Sequence, residues 1–143
     1  MTIRQCTTMD DIKSMLAMAK DHPEADYDCT YEEFCAAVKT VLFPSPFYRA
    51  WLLCDGETAL GYISASWQNF ITRQVSIVDI FIRKEARGKG GGLMMLIESA
   101  HQWAAQCAVN RMTWRTRRNP AVWQRRLGVK LSEYRDLVWE GGR

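Results

Sequence analysis

The sequence predicts an α/β fold: a mixed central β-sheet flanked by helices, in the order β-α-α-β-β-β-α-β-α-β. Three observations carry this. Two amphipathic helical stretches near the start give way to a period-2 pattern with a hairpin turn. A β-branched, apolar strand then runs into a glycine-rich turn. The clearest helical stripe of the chain follows that turn directly. The 143 residues are one domain's worth, with no repeat, low-complexity tract or linker, so a single domain over 1–143 is expected.

Thr2 to Cys6 reads as a short first strand. Thr8 is placed to cap a helix running to about Lys20, with Asp10 and Asp11 in its positive first turn. Thr30-Tyr31-Glu32-Glu33 is a capping box, opening a second helix to about Val41. Phe34, Ala37, Val38 and Val41 share one face of it, and Pro44 and Pro46 end it. Tyr48–Cys54, Asp55-Gly56 and Glu57–Trp67 form a hairpin signature, glycine supplying the positive φ of a tight turn. Val75 to Ile82 is apolar on both faces, as a central strand would be. Leu93, Leu96, Ile97, Ala100, Trp103, Ala104 and Cys107 follow the i, i+3, i+4 rhythm of a helix. Arg111 to Arg115 is a short strand. Pro120 suits the first position of a helix to about Leu127, stopped by Gly128. Leu131 to Glu140 supplies a last strand.

Composition narrows the chemistry. A 48% hydrophobic and 24% charged chain is not intrinsically disordered. No run approaches a membrane span, and the first residues lack a signal-peptide core, so a cytoplasmic protein with no membrane partner is expected. The five cysteines, an odd number with no CxxC pair, favour reduced thiols. With only His22 and His101 as histidines, a zinc site or serine–histidine triad has few parts to draw on. The net charge of +3 hides an asymmetry: residues 1–60 carry −5 and residues 61–143 carry +8. Asp21 to Glu33 holds six acids and no base, and Arg111 to Arg126 six arginines and no acid. Opposite halves suit a ligand, or two ligands, bearing both kinds of charge.

The informative segment is Arg87-Gly88-Lys89-Gly90-Gly91-Gly92 between strand and helix. Its glycines present bare N–H groups at a helix N-terminus, an attractive place for phosphate. It fits neither the P-loop frame nor the dinucleotide fingerprint, whose third glycine position is Leu93. It does resemble motif A of the GNAT superfamily of acyl-CoA N-acyltransferases. Arg87, Gly90 and Gly92 fall on the fixed positions of Arg/Gln-x-x-Gly-x-Gly/Ala, after the strand Ile80-Phe81-Ile82. The element order is also the GNAT order. Asn119 and Arg126-Leu127-Gly128-Val129 resemble the family's second motif.

The resemblance implies acetyl-CoA as co-substrate. Its pantetheine would lie along Phe81 and Ile82, and its pyrophosphate on the turn Arg87, Gly88, Lys89, Gly90, Gly91, Gly92, Leu93, with Asn119 nearby. A primary amine would attack the thioester directly. Where many members carry a catalytic glutamate, this chain has Ser76 and Val78. Asp79 is the only acid in the strand. It resembles an aspartate of polyamine-type and some sugar-amine members, and is either the base or amine anchor or a buried, paired structural acid. At the position of the usual thiolate-protonating tyrosine stands Gln124, leaving Tyr134 as a substitute acid.

The resemblance also implies that the first two helices and their acidic loop border the acceptor cleft. Tyr27, Tyr31 and Asp79 are the candidate substrate contacts, with His22 a candidate lining residue. A cationic acceptor follows: a small amine, a polyamine or a basic protein segment. Two other readings stand beside this one. One is an acyl-CoA-binding, weakly catalytic member acting as a binding or inhibitory module. The other is a nucleic-acid partner using the arginines of 111–126 with Trp114 and Trp123, though the CoA groove accounts for the same basic stretch. A homodimer is compatible with the sequence.

Overall fold

The computed structural model describes residues 1–22, 29–69, 73–114 and 120–130. The chain begins with β1 (Thr2–Gln5) and α1 (Met9–Lys20), followed by α2 (Tyr31–Ala37), which continues as one wider π-helical turn, Val38–Leu42. Then come β2 (Tyr48–Asp55), β3 (Thr58–Asn69) and β4 (Gln74–Ile82), a 3-10 turn at Lys84–Ala86, α3 (Gly92–Gln106), β5 (Arg111–Thr113) and α4 (Pro120–Leu127). The expected last strand, 131–140, lies outside the described residues.

Both capping boxes form. The Thr8 hydroxyl accepts from the Asp11 N–H, and Asp11 in turn accepts from the Thr7 and Thr8 N–H groups. Thr30 and Glu33 repeat the arrangement on α2. The second helix departs from expectation in its last turn. The Thr40 hydroxyl bonds back to the Ala36 carbonyl at 2.7 Å, and the Phe43 N–H reaches Val38 rather than Lys39. A threonine bonding its own helix backbone competes with the regular ladder.

The five strands form one sheet in the order β1-β2-β3-β4-β5. The first three junctions are antiparallel and β4–β5 is parallel. The β2–β3 hairpin closes on Gly56, whose φ is +58°. Helices cover both faces. On one, Ile12, Met15, Leu16 and Met18 of α1 and Phe34 of α2 pack on Tyr48, Leu52, Tyr62 and Phe81. On the other, Leu96, Ala100, Trp103 and Ala104 of α3 pack on Trp51, Leu53, Ile63 and Val75. α3 sits close because its first residue is Gly92: a Cβ there would lie 2.5 Å from Leu53 Cδ2.

One irregularity decides what faces where. Ser64 pairs with Asp79 but Ala65 pairs with Ile77, so Val78 is an extra residue, a β-bulge. Before it, Val75 and Ile77 face α3; after it, Asp79 and Phe81 face α1. The strand expected to be uniformly apolar thus changes face halfway along.

Asp11 is titratable and tied into the fold. Burial works to raise its pKa, but hydrogen bonds from Thr7 and Thr8 and the Arg4 guanidinium at 3.1 Å hold it below the usual 3.8. A carboxyl lowered by folding stabilises the protein above its unfolded pKa, and that contribution is lost as the pH falls through the folded one. Asp11→Asn is expected to cost about 0.5–1 kcal/mol at pH 7. In urea unfolding the gap from wild type should close as the pH falls below 3.8; an unchanged gap in acid contradicts this.

Candidate active site

The site is built where β4 leaves its neighbour. β4 and β5 pair only through Gln74–Arg111, Val75–Met112 and Ser76–Thr113. Among the described residues no strand pairs with β4 on that edge beyond Ser76. Over 77–82 the Ile80 N–H is held by Asp79 Oδ1 and the Ile82 carbonyl by Arg87, and the other backbone groups can meet an extended ligand in the manner of strand addition. The edge leads to the glycine turn. Gly88, Gly90 and Gly91 adopt φ of +73°, +64° and +68°, and the turn from Arg87 to Gly91 is exposed. Gly91 is the N-cap of α3 and supplies no side-chain cap, so the first N–H groups of the helix gain no side-chain partner there. The Met1 side chain lies where a Cβ on Gly90 would go.

Arg87 is exposed at the start of the turn. Its Nε–H donates to the Ile82 carbonyl at 2.8 Å, and its guanidinium lies 5.8 Å from the Phe81 ring centre. It ties the turn to the strand end. Lys84 and Lys89 are exposed beside it and leave the turn basic. Ile82 is half-buried on the α3 face, whereas Phe81 is buried on the α1 face.

Asp79 is buried, its side chain only 6% exposed. The Tyr62 hydroxyl donates to Oδ2. Oδ1 accepts the Ile80 N–H at 2.9 Å and lies 3.3 Å from His22 Nε2. The His22 ring, 14% exposed, packs on Phe81 with centroids 5.0 Å apart. Burial also pushes the nearby Tyr48 phenol well above its ordinary range, the mark of a dry floor. A buried carboxylate needs such partners. Tyr62 and the His22 contact could not be read from the sequence, since both depend on cross-strand register. The available signal was a lone acid in an apolar strand.

The other expected site residues divide in two. Tyr27, Asn119 and Tyr134 lie outside the described residues. Tyr31 is described: its hydroxyl donates to the Leu16 carbonyl at 2.8 Å and joins α2 to α1. Desolvation, with Cys35 beside it, pushes that phenol up to about 12. Trp114 and Trp123 pack edge to face, 5.9 Å apart. The Cys6 thiol is pushed up to about 12 by burial, which makes it unreactive. Among the described residues there is no cluster able to hold a metal ion, and no helix is long and apolar enough to cross a membrane.

The chain matches the Acetyltransferase (GNAT) family over residues 12–128 and belongs to that family. The expected fold and enzyme class agree with that membership. No curated protein sequence matches it. Among solved structures it is similar to the aminoglycoside N-acetyltransferase AAC(6')-Iy in complex with CoA, at 15% identity and TM-score 0.77, covering 99% of this chain and 95% of that one. The same enzyme with the bisubstrate analogue CoA-S-monomethyl-acetylneamine gives 15% identity and TM-score 0.73, covering 99% and 97%. The aminoglycoside 6'-N-acetyltransferase AAC(6')-IG from Acinetobacter haemolyticus gives 16% and 0.74, covering 100% and 99%. At these identities the likeness is one of fold.

The Asp79 cluster makes a stability prediction. Tyr62→Phe removes a hydrogen bond to a buried carboxylate and should cost about 1.5–3 kcal/mol in urea unfolding. Combined with Asp79→Asn the losses should be strongly non-additive; simple addition of the two contradicts the pairing.

Proposed function

We propose that the protein transfers an acetyl group from acetyl-CoA to a cationic primary amine by direct attack on the thioester. The observation that carries this reading is the β4 edge past Ser76, without a strand partner among the described residues, leading into three positive-φ glycines at the start of α3. An extended pantetheine finds the remaining backbone groups of 77–82. A pyrophosphate finds bare N–H groups, the positive end of α3 and the charges of Lys84 and Lys89. Gly88 and Gly91 have nothing within 4 Å of where a Cβ would be, so the backbone there is open to close approach.

The acceptor side lies on the other side of the bulge. Asp79 puts a carboxyl group 3.3 Å from His22, within the acidic stretch 21–33. That stretch carries Tyr27, and Tyr31 fixes α2 against α1. Such a field raises the local concentration of ammonium groups. The aminoglycoside acetyltransferases of similar fold make a polycationic small molecule a sensible first acceptor to try. Gln124 is exposed and cannot supply a proton to the departing thiolate, and Tyr134, the candidate acid, lies outside the described residues. Water reaching the open edge can serve.

Two measurements test the reading. Acetyl-CoA at about 100 times its dissociation constant should stabilise the protein by about 2.7 kcal/mol in a thermal melt. Gly91→Asp, which puts a negative side chain on the turn, should abolish that shift. In a panel of amines followed by thiol release, polyamines and aminoglycosides should outrun neutral and anionic acceptors. A preference for anionic acceptors contradicts the acidic acceptor side, and a missing thermal shift contradicts the reading as a whole.

A further inference from the structure

We infer that His22 takes the proton from the acceptor's ammonium group, and that Asp79 is a positioning residue behind it. This rests on the transfer reading above. Asp79 is engaged on both carboxyl oxygens. Its Oδ2 holds the Tyr62 hydroxyl, and its Oδ1 holds the Ile80 N–H at 2.9 Å and faces His22 Nε2 at 3.3 Å. A carboxyl group so engaged, with its side chain 6% exposed, is suited to orienting a neighbour. His22 is the more accessible of the two at 14%.

The carboxylate also selects the imidazole tautomer. A carboxylate only accepts hydrogen bonds, so the nitrogen facing it, Nε2, carries the hydrogen. In the neutral ring the lone pair then resides on Nδ1. The 3.3 Å separation is loose for an N–H···O bond, as pairs in unliganded active sites often are. Phe81 fixes the ring plane, packing on it at an interplanar angle of 35°. Among the described residues the groups around the pair include the Tyr62 hydroxyl from β3, Phe81 from β4, and Arg87, whose guanidinium lies 5.8 Å from the Phe81 ring centre. His22 stands at the exit of α1, beside the part of β4 that has lost its β5 partner.

The step balances simply. The ammonium gives one proton to Nδ1 of His22, and the imidazolium formed is paired with Asp79. The freed nitrogen lone pair attacks the thioester carbonyl carbon. The C–N bond forms, the C–S bond breaks, and the sulfur leaves with the bonding pair. Of the two protons the nitrogen loses, one ends on the thiolate and the other passes from His22 to water.

The test compares two acceptors: an alkylamine mostly protonated at the assay pH, and a weakly basic amine already neutral there. His22→Gln should lower kcat for the protonated amine about 100- to 1,000-fold. It should lower kcat for the neutral amine far less, with KM for acetyl-CoA unchanged. Asp79→Asn should follow the same pattern more weakly. His101→Gln, on the exposed side of α3, should change neither. Nitrogen-15 NMR of the wild-type protein, which has only two histidines, should show His22 as the Nε2–H tautomer. Asp79→Asn should mix the tautomers. This readout stands even where His22→Gln fails to fold. Equal losses on the two amines, full activity of His22→Gln, or an Nδ1–H tautomer in the wild type each overturn the assignment. Acetyl-CoA binding without wild-type turnover of any amine overturns the transfer reading, and this inference with it.

Discussion

The rest of the site depends on one extra residue in β4. With Val78 inserted between Ile77 and Asp79, the strand changes the face it presents to each helical layer. Side chains alternate along a strand, so a single inserted residue moves everything after it to the opposite side. Without the bulge Asp79 would point toward α3 and its apolar layer, with neither Tyr62 nor His22 to meet it. With the bulge, the carboxylate enters the α1 layer and is held from three directions. Ile80 and Ile82 take the places beneath α3 that Asp79 and Phe81 would otherwise occupy. The parallel pairing with β5 ends just before the bulge, at Ser76, and beyond it no strand among the described residues pairs with that edge.

The glycine turn is anchored by two opposed demands. Gly88, Gly90 and Gly91 are needed for their backbone angles, which a side chain would strain. Gly92, at the next position, is needed for its missing side chain, because α3 rests directly on Leu53. Arg87 closes the arrangement by bonding the Ile82 carbonyl and covering Phe81. The same Phe81 ring carries His22 on the acceptor side. One aromatic residue therefore joins the turn that suits a phosphate to the histidine that suits an ammonium.

Much of the fold was legible because it is written in local chemistry. The two capping boxes, the Asp55-Gly56 turn and the stripe from Leu96 to Ala104 each announce an element without reference to the rest of the chain. The bulge was not legible. Val75 to Ile82 is apolar at every position but Ser76 and Asp79, and such a run reads the same in either register. For the same reason the acid stood out, while its partners did not: Tyr62 and His22 meet Asp79 only through cross-strand register and the exit of α1. The π-helical turn was hidden because Thr40 reads as an ordinary helical residue until its hydroxyl is seen on Ala36. The charge division between the two halves was visible at once. The structure adds where each half meets β4: the basic turn at its end, and the acidic stretch beside His22.

The proposed function requires the β4 edge and the glycine turn to receive acetyl-CoA together. Backbone amide NMR during titration with acetyl-CoA tests this. Shifts should concentrate at residues 77–82 and 88–93, with His22 moving less until an amine is added. Shifts confined to other surfaces, such as the groove between α3 and α4 lined by Ile97, His101 and Leu127, would contradict it.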